Sequence, residues 1–307
     1  MMKILVTGGA GFIGSHLVDS LSLDNEVVVL DNLIRGSKLT NKKKVKFIKK
    51  NIKNYCDVNE CIKDCEIVYH LAAFLGVDEV AKNPIKTMET ESIGTYNVMN
   101  AALKNNVKKI IYASTSEVYG KVDKVEAVNE DFKVSPISSY AIAKRYNEIY
   151  LKSIYLEHKI DSFSLRYFNI YGPRQDTRMV IPRFFQQAMN GDDLIVYGDG
   201  KQTRDFTFID DTIEATIQIA KKCSGSEIIN ITKGEDITIY ELAEKILKIV
   251  NSRSKIKLIE NPLFRKDFEV ERRFGSNQKL QSLIGSKPQT TLDEGLEKTY
   301  KYILENK

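Results

Sequence analysis

Apolar residues along this chain alternate between two rhythms. Continuous apolar runs in "MKILVTG", "NEVVVLD", "CEIVYHLAA" and "VKKIIYAST" predict strands buried on both faces. "GFIGSHLVDSLSL" and "GTYNVMNAALKNN" space their apolar residues along one helical face. "VKFIKKNI" predicts a further strand, Tyr140 to about His158 a helix, and "DSFSLRYFNIYG" a strand after it. Strand and helix in alternation predict an α/β fold with a doubly wound parallel sheet covered on both faces. After Gly172 the pattern turns irregular; "FTFIDDTIEATIQIAKKC" and "SEIINITKG" read as a return to the sheet, and 234–307 as a smaller, more helical region. The predicted division is residues 1–171, rejoined by 205–233, and a second, mixed α/β domain of 172–204 with 234–307. No repeat, low-complexity tract or Gly/Ser linker separates them, so the two are expected to pack tightly around a cleft.

Composition narrows the classes. The 307 residues are 42% hydrophobic and 28% charged, as in ordinary globular proteins. No apolar run approaches the ~18 residues of a membrane span, and "MMKILVTGG" enters a strand without a signal-peptide pattern, so a cytoplasmic location is expected. Four cysteines give no disulfide framework, and neither the clustered Cys56, Cys61 and Cys65 nor the scattered His16, His70 and His158 match a metal-ligand spacing. No metal is expected. The net charge of +5 is modest, and "NKKKVKFIKKNIK" reads as a short strand among solvated lysines rather than a nucleic-acid surface.

"TGGAGFIGSH" carries Gly8, Gly9, Gly11 and Gly14, matching G-x-G-x-x-G where a strand closes and a helix opens. Such glycines let backbone amides reach a pyrophosphate at a helix N-terminus. The second strand ends in Asp31, whose carboxylate suits a ribose hydroxyl and repels a 2′-phosphate, which favours NAD over NADP. Asn51–Ile52 follows the third strand, placed to hold an adenine ring. Leu71, Ala72 and Ala73, in "HLAA", would pass beneath the cofactor, and His70 reads as a packed strand residue.

"SSYAIAKRYNE" places Tyr140 and Lys144 four positions apart, about 5–6 Å at their β-carbons on one helical face. By itself the pair fits a chance surface pairing as well as a phenol acidified by an ammonium. Upstream, "ASTSEVYG" ends a strand, where parallel sheets place ligands. Together with "TGGAGFIGSH", "YAIAK" and "RYFNIYGPR", it makes nearly the whole chain resemble the extended short-chain dehydrogenase/reductase family, in particular its NAD-dependent nucleotide-sugar epimerases, dehydratases and decarboxylases.

The resemblance implies a Rossmann-type NAD domain and a smaller sugar-nucleotide domain. Gly8, Gly11, Phe12, Ile13, Gly14, Asp31, Asn32, Asn51, Ile52, Leu71, Ala72, Ala73, Tyr140, Lys144 and Tyr167 would contact NAD. Tyr140 would be the base toward a sugar hydroxyl, with Lys144 lowering its pKa toward neutrality and Thr115 bonding the same hydroxyl. Thr115, Ser116, Asn169, Arg204 and Arg272 would bind substrate, the arginines by bidentate bonds to phosphate. A homodimer, with the Tyr140 helix at its interface, and a place in polysaccharide biosynthesis are further implications.

Three positions depart from the family's pattern. Leu75 replaces a polar residue near the cofactor, Asn51 replaces aspartate, and Glu91 stands where many members have asparagine, a change the sequence does not explain. Glu117 bears on the reaction: if the backbone stays extended, it points to the same side as Thr115. A carboxylate there suits a dehydratase or decarboxylase acting through carbon 5. Ser116, however, replaces the first acid of the usual dehydratase pair. The expectation is a 4-epimerase acting on a UDP-hexose, with UDP-glucuronate decarboxylase or nucleotide-sugar 4,6-dehydratase as the alternative. A cofactor-sensing regulator without catalysis is a further alternative, but it has no need of these groups together.

Overall fold

The computed structural model describes residues 1–122, 126–262 and 270–306. Contacts within the chain define two compact units: Met1–Val118 with Pro136–Tyr167 and Ile213–Ile229, and Tyr119–Ser135 with Phe168–Thr212 and Asn230–Lys307.

The first unit is built on strands β1 (Lys3–Thr7), β2 (Glu26–Asp31), β3 (Val45–Lys49), β4 (Ile67–His70), β5 (Lys109–Thr115) and β6 (Asp161–Tyr167). These pair in parallel in the order β3-β2-β1-β4-β5-β6. The seventh strand, Ser226–Ile231, lies beyond β6. The chain winds outward from β1 in one direction and from β4 in the other, so the switch point lies between them, where such sheets bind ligands. Val27–Leu30 and Ile4–Val6 are buried, whereas β3, at the edge, keeps its lysines exposed.

Helices α1 (Phe12–Leu21), α2 (Tyr55–Cys61), α3 (Val77–Lys82), α4 (Pro84–Met88), α5 (Thr95–Lys104) and α6 (Ser139–His158) belong to this unit. Leu5, Val28, Val68 and Ile110 of the sheet pack with Val58 of α2, Val98 and Met99 of α5, and Leu151 and Ile154 of α6 in one core. Ser138 caps α6, its Oγ accepting the Ala141 amide at 3.0 Å. Between α4 and α5 the backbone widens into a π-helical turn, Glu89–Gly94. The sequence pattern passes over α2 and the whole of Val77–Gly94, because short or irregular helical turns carry little periodicity.

The second unit contains β7 (Ile170–Tyr171), β8 (Leu194–Tyr197), β9 (Thr203–Asp205) and β10 (Thr207–Phe208). Numbering Ser226–Ile231 as β11, there follow β12 (Asp236–Thr238), β13 (Ile256–Ile259) and β14 (Arg272–Arg273). β9 lies between antiparallel β12 and parallel β14. The run read as one strand from Asp161 to Gly172 is interrupted: β6 stops at Tyr167 and β7 pairs with β10. At the break the Phe168 amide bonds the Ile231 carbonyl at 3.1 Å. Asp205 ties this unit together, its buried carboxylate accepting from the amides of Lys233, Gly234 and Gly275 and from the Thr232 hydroxyl. Among the described residues no helix is long and apolar enough to cross a membrane.

Candidate active site

The turn from β1 into α1 is packed backbone against backbone. Gly8 has φ +70°, and a Cβ on it would lie 2.6 Å from the Ala72 nitrogen; a Cβ on Gly14 would lie 2.2 Å from the Gly8 carbonyl oxygen. Only hydrogen fits at either position. Gly11 starts α1 with no side chain capping its amides, and Phe12 and Ile13 follow half-buried. Asp31 accepts from the Ala10 and Leu33 amides at 3.0 and 2.8 Å, so its carboxylate is fixed beside the turn. Asn32 and Asn51 accept from the amides two residues on, Ile34 and Lys53. Ile52 is buried in the core, where a Cβ on Gly94 would collide with it. Leu71 and Ala72 donate to the Thr7 carbonyl and hydroxyl at 3.0 and 3.3 Å, and half-buried Ala73 follows. A side-chain-free turn, open helix amides and a fixed carboxylate fit a dinucleotide.

Tyr140 and Lys144 lie one helical turn apart on α6, 8% and 1% exposed. Lys144 Nζ donates to the Ala113 carbonyl of β5 at 2.8 Å and lies 5.4 Å from the Tyr140 ring centroid. It is also 3.1 Å from Glu91 Oε2, a charge contact without hydrogen-bond alignment. Thr115 closes β5, paired in register with Tyr167 of β6. The Tyr167 hydroxyl shares a hydrogen bond with Thr216, and burial pushes it up to about 12.

Buried Ser116 opens a 3₁₀ turn, Ser116–Tyr119, so the backbone does not continue extended. Strand alternation therefore does not set the direction of Glu117. Its amide donates to Thr115 Oγ1 at 3.2 Å, and its carboxylate accepts from Ser138 at 3.4 Å.

The family resemblance implies a phenol acidified by its lysine. In the structure, burial above all holds the Tyr140 phenol well above its ordinary value, with Glu91, Glu117 and Tyr112 adding and Arg35 opposing. The ammonium is shared with Glu91, a partner that no spacing along the chain indicated. Behind the pair, Asn147 donates to the Glu91 carbonyl and the Tyr112 hydroxyl at 2.8 and 2.9 Å. His70, buried between Thr7 and Thr95, is held down to about 3 by burial and then by Lys144. It is a neutral packed residue. The one hint in the sequence was the row Tyr140, Lys144, Asn147 and Glu148 along a single face of α6.

Asn169, Arg204 and Arg272 belong to the second unit. Asn169 is exposed and donates to the Asp205 carbonyl at 3.0 Å. Arg204 donates to the carbonyls of Thr203 and Val270, both at 2.7 Å. Arg272 pairs with Thr203 in the β9–β14 register, is bonded to Asp236 at 2.8 and 3.2 Å and is stacked on Phe274.

Sheet order and glycine turn define an α/β protein of the Rossmann, dinucleotide-binding class. The chain belongs to the NAD dependent epimerase/dehydratase family, which residues 4–232 match. It is 37% identical to the UDP-N-acetyl-alpha-D-glucosaminuronate decarboxylase of Bacillus cytotoxicus, over 99% of this chain and 98% of that protein. To a putative UDP-glucose 4-epimerase of Methanocaldococcus jannaschii it is 34% identical, over 99% of each. Its fold is similar to that of the UDP-N-acetylglucosamine 4-epimerase of Methanobrevibacter ruminantium, solved with UDP-N-acetylmuramic acid, with TM-score 0.93, 32% identity and coverage of 100% and 99%.

Proposed function

We propose that the protein is an NAD-dependent nucleotide-sugar 4-epimerase that acts on a UDP-hexose through a 4-keto intermediate. The observation that carries this reading is the buried Tyr140–Lys144 pair, tied through Lys144 to the Ala113 carbonyl two residues before Thr115 ends β5, with Glu117 turned out of the strand's alternation. Tyr140 takes the proton from the carbon 4 hydroxyl, and Thr115 Oγ1 orients that hydroxyl. Lys144 holds the site through Ala113. Gly8, Gly11, Gly14 and Asp31 would hold NAD, which would supply the acceptor and then the donor of hydride at carbon 4. Asn169, Arg204 and Arg272 are assigned to the diphosphate, where Arg272 would exchange Asp236 for phosphate oxygens. The protein is further assigned to the cytoplasm and to polysaccharide synthesis, on family resemblance alone.

A homodimer is part of the same reading. Ile93, Tyr96, Ile142, Tyr146 and Ile149 leave an exposed apolar face around α5 and α6. Tyr150 stacks between Tyr96 and Tyr146 there.

One observation favours a decarboxylase instead: the Glu117 carboxylate accepts from Ser138 at 3.4 Å, two residues before Tyr140, and adds to the charge that holds the phenol up. Incubation with UDP-glucose, UDP-glucuronate and dTDP-glucose, read by mass and NMR, separates the readings. Unchanged mass with inversion at carbon 4 is expected; release of carbon dioxide or water overturns the epimerase. Glu117→Gln should spare an epimerase and cripple a decarboxylase or dehydratase. Tyr140→Phe should abolish turnover while NAD still binds, and near-normal turnover would remove Tyr140 as the base.

A further inference from the structure

We propose that Glu91 is a positioning residue for the reactive pair: its buried carboxylate, 3.1 Å from the Lys144 ammonium, draws that charge away from Tyr140 and so sets how readily the phenol ionises. The proposal rests on the reading of Tyr140 as the base and adds a residue to it.

The placement of Glu91 is constrained from three sides. It lies in the π turn Glu89–Gly94, a rare geometry that occurs mostly as single turns within α-helices and is frequent at functional sites. Oε1 accepts the Phe74 amide at 2.7 Å, just beyond β4. The Glu91 carbonyl accepts from Asn147, one turn beyond Lys144 on α6. Glu91 and Lys144 are each 1% exposed. Burial raises the Glu91 carboxyl above its ordinary range, and the Lys144 ammonium and then the Phe74 amide are what pull it back toward the charged form.

An ammonium alone stabilises a nearby phenolate. With a carboxylate at contact distance the two act as a dipole, whose field weakens faster with distance than that of a single charge. Tyr112 of β5, Glu117 of the 3₁₀ turn and Arg35 of the loop after β2 also act on the Tyr140 phenol electrostatically; of these only Arg35 favours the phenolate. Neutral His70 lies on the Lys144 side, and Glu148 of α6 is occupied by Arg166. Removal of the Glu91 charge therefore leaves Lys144 free to act on the phenol.

Glu91→Gln tests this, since it keeps the volume and an oxygen for Phe74. Phenolate absorbance is followed against pH in the NAD-loaded protein, with Tyr140→Phe in each background as the blank. The Tyr140 midpoint is expected to fall by about one pH unit or more in Glu91→Gln and to return toward wild type in Glu91→Asp. A midpoint that does not move, or that lies beyond the alkaline unfolding limit in both proteins, overturns the proposal. Should Glu91→Gln fail to fold, thermal unfolding of Lys144→Met is compared with Glu91→Gln/Lys144→Met. Recovery of stability in the double variant supports the charge coupling, and its absence overturns it. The titration needs no sugar substrate, so a failure to turn over any nucleotide sugar would remove the functional reading and leave this result standing.

Discussion

Arg166 of β6 and Glu148 of α6 form a two-armed ion pair inside the first unit, both bonds 2.8 Å long and both residues 1% exposed. Glu148 also accepts from Ser114 of β5 at 2.6 Å and from Arg145 at 2.9 Å. The helix that carries Tyr140 and Lys144 is thereby fixed to the two strands that end in Thr115 and Tyr167.

Arg166→Met leaves that carboxylate buried with its main partner gone. The expected loss is about 3–5 kcal/mol of folding stability. Chemical denaturation checks it. Arg166→Met/Glu148→Leu should regain much of the loss, because no buried charge is left uncompensated; equal losses in both variants would contradict the account.

His70 predicts an acid limb of stability. Its folded pKa, about 3, lies below the ordinary 6.5 because burial, and then Lys144, oppose the charged form. Above pH 6.5 the neutral ring costs nothing. As the pH falls from 6.5 toward 3, the unfolded chain takes up a proton that the native state refuses, so stability is lost. The loss is at most about 5 kcal/mol. Unfolding free energy measured against pH should fall less steeply, by about one proton, in His70→Gln.

Gly14→Ala would put a methyl 2.2 Å from the Gly8 carbonyl oxygen, a backbone atom that cannot swing aside. The turn must open, and NAD affinity is expected to weaken at least tenfold, about 1.4 kcal/mol. Isothermal titration calorimetry measures this directly. Unaltered affinity would mean that the turn does not hold the dinucleotide.

Ile142→Asp with Ile149→Asp should turn the proposed dimer into monomer while leaving the fold intact. Both side chains are about half exposed on α6 and take no part in the core. Sedimentation velocity of the two proteins decides the matter, and a wild-type monomer would remove the dimer from the proposal.

The strand–helix alternation, the glycine turn, Asp31 at the end of β2 and the Tyr140–Lys144 spacing were all legible in the sequence. Each is a local property, set by backbone periodicity or by residues a few positions apart. The tertiary structure alone decided that Glu91 meets Lys144, that Glu148 meets Arg166, and that a 3₁₀ turn takes Glu117 out of the strand. Glu91 reaches Lys144 across 53 residues through a π turn that has no hydrophobic period to read, and buried charges find partners by packing rather than by sequence neighbourhood. The sequence determined which groups could do chemistry; the fold determined which charges they must share it with.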